Sequence, residues 1–341
     1  MTGEGRARAI WFPRPRAVEV REEPDRPPGP GEVRIRAVCS AISHGTEMLI
    51  YRGEAPAGLR LDLPTLRGSF GFPVKYGYAS VGRVTEVGSG VQTPSPGDLV
   101  FTHHPHQTVY TVPAGMPVVL PQGLPPEAGV FLANLETAVN ALLDAPVLVG
   151  EVVVIFGQGV VGLLLTQLVR RHLPAVLLAV EPVAHRRALS LVLGADAALD
   201  PREDIPSAVA ARSEGRGADL VLEASGQPAA LQAAMDIAGV EGRIVVVSWY
   251  GTKSVEVDLG SAFHRRRLRV ISSQVGDLPG ALSPRWDLLR RRRVATRLLP
   301  ALTLAPLVTH RIPFDRAAEA YALVDAHAGQ VVQVVLTYDD V

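Results

Sequence analysis

The sequence contains little cysteine and lysine and no excess of charge. Cys39 is the only cysteine among 341 residues, which excludes an intrachain disulfide and a structural zinc site built from several cysteines. Lysine occurs only as Lys75 and Lys253, so arginine carries almost all the positive charge. With 34 basic and 34 acidic residues, the formal net charge is zero. General affinity for nucleic acid or anionic membranes needs a basic excess, and we predict neither partner.

Long apolar runs are also scarce. Residues 1–16 are charged and interrupted by proline, so we expect no signal peptide and a cytoplasmic protein. Residues 152–169 are uncharged and long enough to cross a membrane. Their glycines and polar residues favour a buried strand that leads into a buried helix. Two arginine runs, at 265–267 and 290–293, are interpreted as solvated helix faces, with an anionic substrate as the alternative.

Two kinds of pattern divide the chain. Residues 32–119 contain short alternating runs broken by glycine and proline, which is typical of a twisted β domain. From Glu151 onward, strand-like and helix-like segments alternate, which predicts an α/β doubly wound parallel sheet with 268–273 as its last strand. Residues 307–341 return to strand-like text and could rejoin the first domain. Residues 54–73 are predicted to form a long surface loop near a site.

Residues 157–162 read GQGVVG, a G-x-G-x-x-G pattern between a predicted strand and a predicted helix. In that setting Gly157 permits a tight turn, Gly159 lets the backbone approach a pyrophosphate, and Gly162 lets the helix pack closely. The first helical residues, Val160 and Val161, supply N–H groups to the phosphates. The alternative is a glycine turn that binds no ligand. We predict a nicotinamide dinucleotide as cofactor.

An acidic residue follows the next predicted strand. Glu181 lies 19 residues after Gly162, the spacing of an acid that binds the adenosine ribose. Its carboxylate favours NAD, because it would repel the 2′-phosphate of NADP. Arg186 and Arg187 lie close downstream and leave NADP open.

Taken together, several phrases of the sequence resemble the medium-chain dehydrogenase/reductase superfamily. They are VRIRAVCSAISHGTEM, YGYASVGRVTEVGSGV, PGDLVF, VVVIFGQGVVG and GADLVLEASG. The resemblance covers nearly the whole chain. It implies a GroES-like β domain at 1–133 and 277–341, with a Rossmann domain at 134–276. The phrases HGTE, KYGY, HPHQ, LETAVNA and SSQVG resemble a zinc-lacking branch similar to the bacteriochlorophyllide dehydrogenases and other biosynthetic oxidoreductases.

The departures from the superfamily concern its catalytic zinc. Zinc enzymes of this kind read C-G-T-D where this chain has His44 to Glu47, and G-H-E where it has Gly77-Tyr78-Ala79. Their third ligand would fall at Ala133 or its neighbour. One good ligand remains, and a zinc site needs about three. We therefore predict an enzyme without zinc or any other metal.

The resemblance also assigns roles to individual residues. Thr46 matches the hydroxyl that relays the substrate proton, and His104 falls in the substrate pocket. The remaining roles follow from the missing zinc, because the developing alkoxide still needs a hydrogen-bonding partner: we predict that His44 takes the proton, that Tyr78 holds the substrate oxygen, and that Glu47 orients His44 or its loop. The residues expected beside the cofactor, in addition to those already named, are Thr137, Ser225, Ser248, Trp249, Ser273 and Gln274.

Several of these residues have simpler interpretations. In the simpler interpretation, Tyr78 only fills the space left by the missing metal. Lys75, three residues earlier, would likewise lie near the site by chance, the alternative being that it acts as a functional cation. His104 and His106 would share a strand face and, with His44, could form a new metal site. A hydrogen-bonded loop or pocket role is favoured for them.

The sequence thus predicts an NAD-dependent, zinc-independent oxidoreductase that interconverts a secondary alcohol and a ketone on a small molecule. The alternatives are a zinc-free reductase of C=C bonds or quinones, and a non-catalytic cofactor-binding protein. Residues 268–273 form an apolar edge strand, which favours a homodimer.

Overall fold

The computed structural model describes residues 6–61, 63, 65, 66, 68–174 and 176–339, and the chain forms two compact units. One comprises Met1–Ala133 and Thr296–Val341, and the other Asn134–Ala295. The return to the first unit, predicted at residue 277, lies at residue 296. The reason is that Arg291 is buried against side chains of residues 136 and 140, which keeps this stretch in the second unit.

The helices and strands follow in chain order: β1 (Arg6–Trp11), β2 (Glu19–Pro24), β3 (Glu32–Ala41), α1 (Thr46–Arg52), β4 (Ser80–Val87), β5 (Leu99–Thr102), β6 (Val109–Pro113), β7 (Val118–Val119), α2 (Pro126–Gly129), α3 (Leu132–Asp144), β8 (Val152–Phe156), α4 (Val160–Arg170), β9 (Val176–Val180), α5 (Ala184–Val192), β10 (Ala197–Leu199), α6 (Ile205–Arg212), β11 (Ala218–Glu223), α7 (Pro228–Ile237), β12 (Ala238–Val246), β13 (Arg269–Ser272), α8 (Leu288–Leu298), β14 (Val308–Pro313), α9 (Ala317–Ala326) and β15 (Gln333–Thr337).

The first unit is built on a mixed sheet. Its strand order is β14-β15-β3-β4-β5-β7, and β6 also pairs with β3. The C-terminal strand β15 runs antiparallel to β3, with Thr337 opposite Cys39. A core of apolar and aromatic side chains, among them Met48 and Tyr321, packs against this sheet. The loop and helix that follow β3 therefore lie directly on the core. Of the predicted surface loop at 54–73, residues 62, 64 and 67 are outside the described residues.

The second unit is a parallel sheet in the order β10-β9-β8-β11-β12-β13. Every residue of β8 is buried, as expected for a strand covered by helices on both faces. The fold class predicted from the sequence is confirmed. Residues 152–169, long enough for a membrane span, form β8, the glycine turn and most of α4. Among the described residues no helix is both long and apolar enough to cross a membrane. Strand β13 lies at the edge of the sheet, as predicted.

Candidate active site

The glycine-rich turn between β8 and α4 is confined by backbone. Gly157 has φ +85°, and a Cβ added there would lie 2.6 Å from the Ser225 Cα. A Cβ added at Gly162 would lie 1.9 Å from the Gly157 carbonyl oxygen. Both positions therefore require glycine. A Cβ at Gly159 would meet nothing within 4 Å, which leaves open space beside the turn.

The N terminus of α4 faces this turn. Val160 and Val161 are the first two residues of the helix, and its N-cap, Gly159, has no side chain to cap it. The first N–H groups of a helix have no partner within the helix, and the helix dipole favours an anion at that end. This end of α4 therefore fits the pyrophosphate of a dinucleotide.

Glu181 is held against the turn from the next strand. It follows β9 and is 3% exposed. Its Oε2 accepts a hydrogen bond from the Gln158 N–H at 2.7 Å, and its Oε1 accepts one from the Val183 N–H at 3.0 Å. A carboxylate oxygen has further lone pairs, so Glu181 can still accept from a ribose hydroxyl.

The two arginines downstream of Glu181 differ in their contacts. Arg187 donates to the Glu181 and Pro182 carbonyl oxygens, both at 2.7 Å, and pairs with Asp200 at 3.1 Å. Arg186 lies 3.8 Å from the Glu181 carboxylate, and burial lowers the pKa of its guanidinium. The Arg187 guanidinium is therefore already engaged by protein groups. Arg186 partly neutralises the negative charge of Glu181 beside the glycine-rich turn.

A buried carboxylate joins the loops that follow β11 and β12. Glu223 is fully buried and accepts from the Ser225 N–H at 2.7 Å and the Tyr250 hydroxyl at 2.9 Å. The Gly226 N–H donates to the Ser248 hydroxyl at 2.8 Å. Burial and the adjacent carboxylate raise the pKa of Tyr250, so it stays a donor. Ser225 and Ser248 are thus fixed at the carboxyl edge of the sheet, where dinucleotides bind.

The structure gives the surroundings of two other predicted cofactor residues, Trp249 and Thr137, and of the nearby Lys253. Trp249 follows Ser248 and is 37% exposed. Thr137 lies on α3 and is half-buried. The Lys253 ammonium reaches the Gly226 carbonyl oxygen at 3.2 Å.

The segment after β13 is anchored by two side chains for which the sequence predicted no such role. The Asn140 amide donates to the Gln274 carbonyl oxygen at 3.4 Å, and Arg291 donates to the Val275 carbonyl oxygen. Ser273 donates its N–H to Val246 of β12 at 2.9 Å. Ser273 and Gln274 are therefore held at the end of the sheet that carries Ser248.

In the first unit, Glu47 is a structural anchor. It is fully buried and accepts from the Ser43 N–H at 3.0 Å, from His106 Nε2 at 2.8 Å and from the Tyr321 hydroxyl. The sequence predicted that Glu47 orients His44 or its loop. Its carboxylate fixes that loop through Ser43, because its remaining acceptor positions face His106 and Tyr321.

His106 continues this buried network. Its Nδ1 lies 2.7 Å from the Ser40 hydroxyl, which in turn lies 2.8 Å from the Tyr338 hydroxyl. A Cβ added at Gly77 would lie 2.7 Å from the His106 ring. Since both ring nitrogens are engaged by protein groups, His106 has none left for the alternative metal site with His44 and His104.

His104 is a packing residue. It is 7% exposed, and its ring stacks on Tyr110 with centroids 3.8 Å apart. Burial lowers its pKa to about 3, so the ring is neutral at neutral pH. The pocket role of His104 stays a prediction, and within it the ring would act as a neutral group. Strand β5 ends at Thr102, and the following residues turn inward instead of continuing as a strand.

Tyr78 and Lys75 have different surroundings. The half-buried Tyr78 donates its hydroxyl to the Ser43 hydroxyl at 2.5 Å, which places it beside the loop that carries His44. Lys75 contacts the Glu23 carboxylate and the Gln107 amide oxygen, each at 2.6 Å, and burial lowers its pKa. Lys75 is thus part of an internal ion pair, and the alternative of a functional cation is not supported.

The positions that hold zinc in the resembling enzymes carry three different chemical groups in this chain. His44 offers an imidazole, Tyr78 offers a phenol that donates to Ser43, and Ala133 offers a methyl group. Within the described ranges, no group of three or more His, Cys, Asp or Glu side chains could hold a metal ion. A zinc site takes about three nitrogen, sulfur or oxygen ligands, and of these three positions only His44 offers a good one, so an enzyme without zinc stays a prediction.

Comparison with known proteins gives one family and several relatives. Residues 160–291 match the family described as zinc-binding dehydrogenases. The D-guloside 3-dehydrogenase of Escherichia coli K12 is 28% identical over 344 residues, covering 95% of this chain and 98% of that protein. The L-threonine 3-dehydrogenase of Pyrococcus abyssi is 29% identical over 342 residues, covering 90% and 91%.

Solved structures match the fold. A Sinorhizobium meliloti 1021 protein bound to NADP has a TM-score of 0.81 and 22% identity, covering 98% of this chain and 100% of that chain. The likeness therefore extends over both units of the present fold.

Sequence reasoning missed two buried charged side chains of the second unit, Arg291 and Glu223. Arg291 belongs to the run interpreted as a solvated face, yet it is 4% exposed. Its partners Glu136 and Asn140 stand four residues apart on a mostly apolar helix, and that spacing is the signal that could have revealed a buried polar contact. The second group is Glu223, an acid at the end of an apolar strand.

Proposed function

We propose that the protein is an NAD(P)-dependent oxidoreductase of the medium-chain dehydrogenase/reductase type, and that it interconverts a secondary alcohol and a ketone with NAD and without zinc. The observation that carries the proposal is the cradle formed by Gly157, Gly162 and the α4 N terminus, with Glu181 hydrogen-bonded to it. The relatives named as D-guloside 3-dehydrogenase and L-threonine 3-dehydrogenase support this class of reaction. We also expect the enzyme to act in the cytoplasm on a small molecule.

The preference for NAD rests on Glu181. Its buried carboxylate can accept from a free ribose 2′-hydroxyl and would repel a 2′-phosphate. Arg187 supports the assignment because its guanidinium is already engaged by Asp200 and two carbonyl oxygens. Arg186 is the residue that would favour NADP. The test compares the dissociation constants of NADH and NADPH. Each is measured by titration, with energy transfer from tryptophan to the reduced nicotinamide as the signal. Tighter binding of NADPH would overturn it.

The proton chemistry is assigned to residues of the first unit. Bound nicotinamide supplies the hydride acceptor for alcohol oxidation. Thr46, at the start of α1, takes the hydrogen bond of the substrate hydroxyl and relays its proton toward His44, an imidazole that can exchange protons near neutral pH. Tyr78 stabilises the developing alkoxide by moving its hydroxyl hydrogen bond from the Ser43 hydroxyl to the substrate oxygen. Glu47 positions the loop through Ser43.

Two experiments test the reaction and the absence of metal. Formation of NADH with a panel of secondary alcohols is expected. Turnover only with activated C=C bonds or quinones would indicate the alternative reductase, and cofactor binding without any turnover would indicate a non-catalytic protein. Elemental analysis of protein purified without added metal should find far less than one zinc per chain. Stoichiometric zinc whose removal stops turnover would refute the zinc-free proposal.

The assembly proposal is a homodimer joined through β13. Three of the four residues of this edge strand are exposed, and Val270 is 40% exposed. Unpaired edge strands tend to pair with another copy, and a two-fold axis would make the sheets continuous. Light scattering at micromolar protein should report a dimer, and a monomer would contradict the proposal.

A further inference from the structure

Arg291 is a buried cation that the reaction itself does not use. It lies on α8, is 4% exposed, and donates to the Asn140 side-chain oxygen at 2.7 Å and to Glu136 at 3.3 Å. Its remaining contact is the Val275 carbonyl oxygen. A guanidinium has five N–H donors in a planar fork, so one side chain joins α3, α8 and the loop after β13.

The loop after β13 is held at two consecutive carbonyl groups. Arg291 holds Val275, and Asn140 holds Gln274. Asn140 is itself fixed, because its amide also donates to Asp144 at 2.9 Å. Within the loop, the Asp277 N–H donates to the Gln274 carbonyl oxygen at 3.2 Å. The conformation of residues 273–277 therefore depends on side chains from two helices.

The position of this loop fits one half of a dinucleotide. Dinucleotides lie across the carboxyl edge of such a sheet, with one mononucleotide on each half and the pyrophosphate at the glycine turn. Glu181 follows β9, which assigns the adenosine to the β8-β9-β10 half. The nicotinamide then falls on the β11-β12-β13 half, where residues 273–277 follow the edge strand.

We propose that Arg291 is a positioning residue that fixes the 273–277 loop in the conformation that receives the nicotinamide end of the cofactor. The proposal rests on the proposed function, since it takes a nicotinamide dinucleotide as the ligand. It predicts a selective effect: loss of Arg291 weakens contacts with the nicotinamide half and leaves the adenosine half, held by Glu181 and the glycine turn, unchanged.

The test must not leave a buried charge unpaired. Glu136 is 1% exposed and pairs with both Arg291 and Arg292, so removal of Arg291 alone would leave this buried carboxylate with only the 3.4 Å contact to Arg292 and would destabilise the fold. The informative variant is therefore the double substitution Glu136→Gln/Arg291→Met. Arg291→Lys is a second variant, which keeps the charge but cannot bridge several acceptors as the guanidinium does. Arg293→Gln, an exposed arginine on the same helix, is the matched control.

The readout compares NADH with ADP-ribose, which lacks the nicotinamide. In both Arg291 variants the dissociation constant for NADH should rise about tenfold, which corresponds to about 1.4 kcal/mol, while that for ADP-ribose stays near the wild-type value. The Arg293→Gln protein should bind both ligands normally. Calorimetric melting shows whether each variant is folded at the assay temperature.

The other outcomes are equally clear. An equal loss of NADH and ADP-ribose affinity in the folded variants would show general damage to the unit and overturn the proposal. Unchanged affinity for both ligands would overturn it as well, and so would full recovery in Arg291→Lys, because charge alone would then suffice. If wild-type protein bound neither ligand, the proposed function itself would fail.

Discussion

Replacing Glu47 by leucine should destabilise the first unit severely, without any change at its surface. The carboxylate accepts hydrogen bonds from the Ser43 N–H, the His106 ring and the Tyr321 hydroxyl, and all these groups are buried. Leucine has a similar size but accepts none of them. Glu47→Gln keeps one acceptor oxygen, so it should be much milder.

The magnitude of the destabilisation follows from the number of buried donors that lose their acceptor. A buried donor that loses its acceptor costs about 1–3 kcal/mol, so Glu47→Leu should cost roughly 3–9 kcal/mol in all, from three such donors. Domains are typically stable by only about 5–15 kcal/mol. Glu47→Gln leaves one buried donor without an acceptor and should lower the free energy of unfolding by about 1–3 kcal/mol.

A double-mutant cycle separates this explanation from a simple packing defect. The buried Tyr321 has a pKa raised well above its usual value, so its hydroxyl stays protonated and donates to Glu47. Tyr321→Phe should therefore destabilise the wild type by about 1 kcal/mol. In the Glu47→Leu protein the same substitution should stabilise, because it removes a stranded hydroxyl.

The assay is urea unfolding followed by tryptophan fluorescence. Trp11 lies in the first unit, whereas Trp249 and Trp286 lie in the second. A background with Trp249→Phe and Trp286→Phe makes the fluorescence report the first unit alone. The expected coupling between Glu47 and Tyr321 is about 1–3 kcal/mol. Additive effects of the two substitutions would refute the reasoning.

The remaining predictions concern pH, the cofactor and the proton relay. Burial holds the pKa of His104 at about 3 when folded, below the value of about 6.5 for an unfolded histidine. The contribution of the neutral His104 to the free energy of unfolding is therefore fully present above pH ~6.5. It falls as the pH drops toward about 3, by up to about 1.4 kcal/mol per pH unit. His104→Phe, compared with wild type by urea unfolding at several pH values, should show a smaller dependence of the unfolding free energy on pH, and an unchanged dependence would contradict this reasoning. Gly162→Ala places a Cβ 1.9 Å from a carbonyl oxygen, so NADH titration should show binding weakened at least about tenfold, and normal affinity would disprove the cradle. Glu181→Ala should narrow the difference between NADH and NADPH affinity, and a widened difference would count against the ribose contact. Tyr78→Phe and His44→Ala should each lower turnover by about 10²-fold or more, measured as NADH formation, and near-normal rates would identify both as packing residues.

The cofactor cradle could be predicted from the sequence because its parts are local. Gly157, Gly159 and Gly162 lie within one turn, and Glu181 follows at the end of the next strand. Strand and helix periodicity place such residues at one edge of a parallel sheet, whatever the rest of the chain does. The edge position of β13 followed from the same reasoning.

The buried polar networks could not be predicted in this way. His106 and Tyr321 lie 59 and 274 positions after Glu47 along the chain, and no local pattern pairs either of them with it. Within the 290–293 run, Arg290 and Arg293 are exposed whereas Arg291 is buried. Which arginine faces inward depends on the orientation of α8 about its own axis. Because the segment before the helix is irregular, the sequence does not predict that orientation.

The scarcity of lysine governs how the protein reacts with amine-selective reagents. Lys75 is tied to Glu23 and only 13% of its side chain is exposed, so an acylating dye or an activated resin would react with it slowly. Lys253 is exposed, and its ammonium contacts the Gly226 carbonyl oxygen beside the cofactor edge. Among the lysines, attachment will therefore concentrate beside the loop after β11, at the edge of the sheet where we propose that the dinucleotide binds. Coupling through an engineered surface cysteine would avoid that position, since the natural Cys39 is buried and burial raises its pKa to about 12.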